Sequence, residues 1–537
     1  MKKKYNISSI ENPNYIFNGN AKIKNQRGPN QPADFEEAIS AAKYGKFNIL
    51  VLFTMIPTSF ATAFSTTTMS YIFPIAQCDL DLSLENKGML NSVTYLGMIT
   101  SGFLFGYLTD AIGRKKLIVY VYILDGILVI LCGLSQQYLP LVILKFLGGF
   151  VVNGGYAAYI AYANEFHAAK YRPLLALYNA ILMNMTSIVM PLLAWSIFTD
   201  KINIPLFDGH IILRSWNVFL FVCSIPSFLA SFVYMLMPES PKFLMSVGRN
   251  KEALHVFRNI YSVNTGLSPE TYTVRALIEE KPKNLDNNVN GGSTSTQQSC
   301  AQPLSDGWHE TSRLFFRPYN TKMILVLFIH FGYLLGLNTL RLWIPQLLIA
   351  IYNYDVSGNS DEFDLCSRLK TLVVTNTTGN STCTVNYENR TVYIYVIICG
   401  AAIMAFLLIS LAVISRVSKK IVLVIGGCLS GIACVMIYFA QNLPTLITLF
   451  AFHIGLIFVT TNVVIAVVVN VFPTSLRAMA IALTMVSGRS GSSVGNLIFP
   501  MLLNQGCIYP FATIGAVVTV TSLLTMLLPN TEMTPLQ

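Results

Sequence analysis

The feature of this sequence that most limits its fold is a succession of apolar runs, separated by short polar stretches. A transmembrane helix needs about 20 predominantly apolar residues. Twelve runs of that kind can be read. In the first half they are Phe47–Phe73, Gly88–Leu108, Leu117–Gln136, Leu139–Tyr162, Leu174–Thr199 and Trp216–Met237. In the second half they are Thr321–Tyr352, Thr391–Ile414, Ile421–Ala440, Thr445–Phe472, Ala478–Leu503 and Cys507–Leu528. Only 12% of residues are charged and 53% are apolar, against a globular norm of about 25% charged. A soluble chain of 537 residues would need far more polar surface. The runs are long and leucine-type rather than alternating segments of about 10 residues, so helices are expected rather than an outer-membrane barrel. The expectation is an all-α membrane protein with twelve transmembrane helices in two six-helix halves.

Basic residues fix the orientation. Lys22, Lys24, Arg27, Lys43 and Lys46 precede the first run, and Arg114, Lys115 and Lys116 follow the second. Lys170 and Arg172 follow the fourth, and Arg416, Lys419 and Lys420 follow the eighth. All lie on one side if both termini are cytoplasmic. The net charge of +10 therefore reports topology and implies no nucleic-acid partner, since no basic block is long or interleaved with aromatics. The opening Met1-Lys2-Lys3-Lys4 leads into polar sequence, so no cleavable signal peptide is expected and the first run serves as insertion signal.

Five regions follow. Residues 1–33 are polar and expected to be a disordered cytoplasmic N-terminus. Residues 34–237 form the first six-helix half, opening with a short surface helix at Asp34-Phe35-Glu36-Glu37-Ala38-Ile39. Residues 238–320 are a cytoplasmic central loop with a helix near Lys251–Tyr261 and a low-complexity linker at Lys281–Pro303. Residues 321–528 form the second half, and 529–537 a cytoplasmic tail. Within the second half, 353–390 faces the exterior or a lumen by parity. It carries glycosylation acceptors at Asn376, Asn380 and Asn389. It also carries Cys366 and Cys383, expected to pair on an oxidising face, with Cys78 and Cys507 as rival partners. The six-plus-six layout is that of many secondary transporters.

Between the second and third runs stands Gly106-Tyr107-Leu108-Thr109-Asp110-Ala111-Ile112-Gly113-Arg114-Lys115-Lys116. This loop resembles the loop 2–3 signature of the major facilitator superfamily. Within that superfamily the chain resembles the synaptic vesicle glycoprotein 2 family and its insect-type relatives. The resemblance runs over about residues 34–530. It is carried by Gly45-Lys46-Phe47, Tyr95-Leu96-Gly97-Met98, Tyr162-Ala163-Asn164-Glu165-Phe166 with Arg172, and Ala194-Trp195-Ser196-Ile197. Pro238-Glu239-Ser240-Pro241-Lys242-Phe243 and Phe472-Pro473-Thr474-Ser475-Leu476-Arg477 carry it further. It implies a transporter fold in a vesicle or plasma membrane. There are departures. The acidic pair of the synaptic members' first span is matched by Thr62 and Ser65, the tryptophan and acid around Asn462 by Thr461 and Ile465, and the acid before Pro473-Thr474 by Asn470. The second-half copy of the loop signature is reduced to Ser415-Arg416-Val417-Ser418-Lys419-Lys420. Ion coupling and known ligands of the family are therefore not carried over.

In the signature loop, Gly106 permits close helix approach, and Asp110 is placed to cap a helix of the other half near Ala478. Gly113 and Lys115 belong to the same signature, and Arg114 is placed to pair with Glu165, with Arg172 and Arg477 on the same face. These are read as gating residues, against the plainer role of fixing topology. Ionisable groups inside spans are functional candidates because burying charge in lipid is costly. They are Asp125, Lys145, His330, Arg341, His453 and Arg489. Arg489 is expected in a cavity, meeting either an anionic solute or an internal carboxylate such as Asp125. Thr58, Thr62 and Ser65 recur on one helical face and suit a polar cavity wall, with Asn153, Asn184, Asn462, Trp195 and Tyr71 as further walls, or else they bond within and between helices. The pattern implies transport of a small organic solute. The alternative is a transporter-fold protein acting mainly as a membrane interaction partner. An enzyme is excluded by the lack of a nucleophile elbow, phosphate loop or metal cluster. No cofactor or metal is expected; the partners are the bilayer and the solute, and the chain is read as a monomer.

Overall fold

The structure, a computed structural model, describes residues 32–206, 211–279, 312–356, 364–374, 390–414 and 417–529. Helix α1 (Phe35–Ala41) begins at Asp34, whose carboxylate accepts from the Glu37 N–H at 2.7 Å. Then come α2 (Lys46–Ala76), α3 (Leu84–Ile112), α4 (Arg114–Leu134), α5 (Tyr138–Glu165), α6 (Arg172–Ile197) and α7 (Ser215–Leu236). The short α8 (Pro241–Ser246) and α9 (Asn250–Thr265) precede α10 (Asn320–Val356) and α11 (Leu365–Val374). The chain ends in α12 (Arg390–Ile414), α13 (Lys419–Met436), α14 (Leu443–Val471), α15 (Thr474–Gln505) and α16 (Ile508–Leu524). Polar side chains start several of them: Ser83 caps α3, Ser418 caps α13 and Asn442 caps α14. One element departs from an all-helical reading. Strands β1 (Asn203–Leu206) and β2 (Ile211–Arg214) pair antiparallel between α6 and α7, with the β-branched Ile204, Ile211 and Ile212 among their residues.

Among the described residues ten helices are long and apolar enough to cross a membrane: α2, α4–α7, α10, α12–α14 and α16. Helices α3 and α15 are as long, at 29 and 32 residues, but richer in polar and small residues. They pack on each other and on neighbours through those residues. A Cβ at Gly149 of α5 would lie 2.0 Å from the Thr94 carbonyl oxygen of α3, and one at Gly491 of α15 would lie 2.1 Å from the Phe331 carbonyl oxygen of α10. Such close backbone approach is how helices associate without a hydrophobic drive.

The α3–α15 seam is uneven along its length. At one end Glu85 accepts from Asn504 at 2.5 Å, the Ser92 and Ser493 hydroxyls meet at 2.5 Å, and a Cβ on Gly88 would strike the Asn496 carbonyl oxygen at 2.7 Å. At the other end a Cβ on Gly106 would meet nothing within 4 Å among the described residues. The α6–α12 seam is tight on the first of these sides too, where Phe198 and Tyr393 have ring centroids 6.1 Å apart.

The segment after α7 is tied to the first helices. Asn264 of α9 accepts from the Phe47 N–H at 2.9 Å and donates to the Lys43 carbonyl at 2.8 Å. The Tyr272 hydroxyl donates to the Ala38 carbonyl at 2.6 Å, and Ala33 bonds in both directions with Ala276 and Ile278.

Candidate functional site

The α3–α4 turn builds a charged cluster. Gly113 sits at φ 101°, ψ 153°, a conformation open essentially to glycine alone. That turn aims the first N–H groups of α4 at Glu239, whose Oε1 accepts from the Lys115 N–H at 2.9 Å. Arg114 bonds Asp110 at 2.9 Å and Glu165 at 3.2 Å, donates to the Thr109 carbonyl, and lies 5.4 Å over the Phe243 ring. The Ser240 hydroxyl donates to the other Glu165 oxygen. The expected Arg114–Glu165 pair is thus present. Asp110 instead faces Arg114 and is exposed, and no bond from it to the start of α15 occurs among the described residues. Arg172 pairs with Glu36 of α1 and donates to the Asn164 carbonyl. The Arg477 Nε is buried with no hydrogen-bond partner among the described residues. Sequence reasoning gave no role to Glu239, Ser240 and Phe243, although all three lie in a segment that already carried the resemblance.

The hydroxyl stripe of α2 does not face a cavity. Thr58 bonds its own helix carbonyls, Thr62 meets the Tyr122 hydroxyl at 3.0 Å, and Ser65 donates to Asp125 at 2.8 Å. The stripe turns into the first half against α4 and α7, because these partners are polar groups that would otherwise be stranded in an apolar interior. Asp125 is fully buried there, its second oxygen accepting from Ser227 at 2.6 Å. Lys145 donates to the Ser65 carbonyl at 2.8 Å and to the Thr68 hydroxyl at 3.2 Å. Asp125 is therefore not the partner of Arg489. Asn153 bonds the Met98 carbonyl and Ser101 of α3. Trp195 is 39% exposed, and Asn462 is exposed with its amide on its own helix; neither bonds the stripe among the described residues.

Between the helix sets lies Arg489 of α15, partly accessible and without an ion pair among the described residues. Tyr95 and Tyr156 are within its electrostatic reach, as is His330, both of whose ring nitrogens are buried without a partner among the described residues. Arg341 lines a narrow cavity of about 30 Å³ with Thr67, Ser70, Tyr71, Thr186 and Ser187. His453 is bonded to Ser430 and serves packing.

One expectation is corrected. Cys366 is bonded to Cys507, with Cα atoms 5.4 Å apart, so it is not the partner of Cys383. Cys366 begins α11 and Cys507 precedes α16, and tertiary packing brings these helix starts together where sequence proximity suggested otherwise. Cys78 is also disulfide-bonded. Cys383 and the acceptors Asn376, Asn380 and Asn389 lie outside the described residues.

Residues 49–305 match the family model described as "Sugar (and other) transporter". Synaptic vesicle glycoprotein 2B of Rattus norvegicus is 25% identical over 323 residues, covering 58% of this chain and 47% of the relative. Synaptic vesicle glycoprotein 2C of Mus musculus is 24% identical over 343 residues, covering 62% and 46%. The chain spans about half the length of these relatives. An inward-open structure of the xylose transporter from E. coli superposes with a TM-score of 0.62 at 15% identity, covering 91% of this chain and 98% of that one. A D-xylose-proton symporter structure gives 0.60 at 16% identity, covering 90% and 98%. By sequence and fold together, the chain carries the major facilitator fold and resembles the synaptic vesicle glycoprotein 2 proteins.

Proposed function

We propose that this protein is a secondary transporter that moves a small organic solute across a membrane by alternating access. Its two six-helix halves are residues 34–237 and 321–528, with α3 and α15 spanning alongside the ten apolar helices. The observation that carries the reading is the uneven α3–α15 seam, in contact at Ser92–Ser493 while a Cβ at Gly106 would meet no described atom within 4 Å, with Arg489 of α15 in no ion pair among the described residues. The basic Arg114 turn marks the open end as cytoplasmic, which makes this an inward-facing state. The Cys366–Cys507 bond at the other end suits an exterior or luminal face, where Asn376, Asn380 and Asn389 would be modified. Arg114, Asp110 and Glu165 hold the cytoplasmic end of the first half in shape. Closure of α3 onto α15 at Gly106 would give the outward-facing state.

The family description and the xylose transporters support a sugar-like solute. Arg489 would meet an anionic or electron-rich group on it, with the Tyr95 and Tyr156 hydroxyls as further contacts. The test is uptake of labelled sugars and organic acids into vesicles holding purified protein. Uptake that survives in the wild type and is lost in Arg489→Ala and in Gly106→Leu is expected. Gly106→Leu should leave melting unchanged, since nothing lies near it in this state. Uptake unaltered by both substitutions would refute the site and the closure. No uptake of any solute by folded protein would favour the interaction-partner reading.

A further inference from the structure

A separate cavity of about 520 Å³ opens beside the α2 and α6 starts, lined by α1, the following loop and the α5–α6 turn. Its wall holds Lys43, Tyr44, Lys170 and Tyr171. The Tyr44 and Tyr171 rings meet at a tilt of 43° with centroids 4.5 Å apart, and the Lys170 ammonium sits 4.7 Å over the Tyr171 ring. Lys43 is held at φ 58°, a conformation a lysine rarely adopts. Asn264 fixes it by bonding the Lys43 carbonyl at 2.8 Å. Strain of this kind persists only where the surroundings impose it, and it gathers at binding sites. The one acid in the wall, Glu36, is already matched by Arg172 and by the Ala169 N–H at 3.2 Å. Lys43 makes no ion pair among the described residues, so the cavity keeps an uncompensated positive charge beside two helix N-termini, themselves positive ends. Tyrosine is among the residues enriched at membrane–water interfaces.

We propose that this cavity binds the phosphorylated headgroup of an anionic lipid of the cytoplasmic leaflet, which carries the negative surface potential of the membrane. The headgroup phosphates take Lys43 and Lys170, and the paired tyrosines bear on its ring or glycerol. The assignment to that leaflet rests on the orientation given under the proposed function, whereas binding of the headgroup chemistry does not.

Full-length protein in nanodiscs of phosphatidylcholine, with or without phosphatidylinositol bisphosphate, tests it by thermal shift and by native mass spectrometry of retained lipid. The wild type should retain and be stabilised by the phosphoinositide. Lys43→Gln with Lys170→Gln should weaken apparent affinity about fivefold per lysine, while melting as the wild type does in phosphatidylcholine alone. Lys116→Ala with Lys251→Ala, an equal charge change elsewhere, should leave binding intact. Equal phosphoinositide binding by the Lys43/Lys170 variant would overturn the site. Stabilisation by soluble inositol trisphosphate but not by the lipid would overturn the lipid assignment. Accessibility labelling of Lys43→Cys in sealed vesicles reads the orientation independently.

Discussion

Replacing Gly113 by alanine isolates the geometry of the signature turn. Its φ of 101° with ψ of 153° lies in a region that costs a side-chain-bearing residue about 1–3 kcal/mol. The new Cβ would also stand 2.7 Å from Glu239 Oε2 and 2.9 Å from Phe243 Cε1. Glu239 cannot yield without loosening its bond to the Lys115 N–H, a further loss of about 1 kcal/mol. The sum is about 2–4 kcal/mol. Two other glycines calibrate it. Gly248 has φ 76° and free space, so alanine there meets the backbone penalty alone. Gly106 is helical with free space, so alanine should be neutral or stabilising by up to about 1 kcal/mol. Differential scanning fluorimetry of the three variants in one detergent should rank Gly113→Ala lowest, then Gly248→Ala, then Gly106→Ala at or above wild type. Equal melting of Gly113→Ala and Gly106→Ala would refute the strained-turn argument.

Three further outcomes follow from the same physics. Lys145→Ala removes the ammonium that bonds the Ser65 carbonyl and the Thr68 hydroxyl in a buried setting and should lower stability by about 1–3 kcal/mol in thermal melts. Non-reducing peptide mapping should find Cys366 linked to Cys507, and Cys507→Ser should lower stability by about 2–4 kcal/mol; a Cys366–Cys383 link would overturn this pairing. His167 is buried with Nε2 unpartnered among the described residues, and burial, with Arg172 adding, holds its pKa below the usual value. A depressed histidine favours the folded state above about pH 6.5, so stability should fall as pH drops below that, and His167→Gln should flatten the acid side of the melting profile.

The spans were readable because burial in lipid demands long apolar runs, and the Arg114–Glu165 pair because charges at membrane faces are few. The direction of the α2 stripe stayed open between a cavity wall and bonding within and between helices, because Thr58, Thr62 and Ser65 share a face whichever way it turns. Only the positions of Tyr122, Asp125 and Ser227 on other helices decide the direction. Cys366 could not be assigned, since connectivity depends on where α11 and α16 meet. Glu239 was visible as part of a motif, but its bond to the Lys115 amide depends on a backbone turn that periodicity cannot report.

The bonds from Asn264, Tyr272 and Ala276 back to the chain around Ala33–Phe47 have a mechanical consequence. The stretch from Pro238 to Glu279 travels as cargo fixed to the first bundle, like a bracket bolted to one leaf of a door. A polypeptide divided after Glu279 would keep that bracket on its own leaf and could reassemble from two pieces. One divided at Pro238 would tear the bracket from its mounting and expose Ala38 on the first bundle together with Phe257 and Ile260 on the bracket's own inner face.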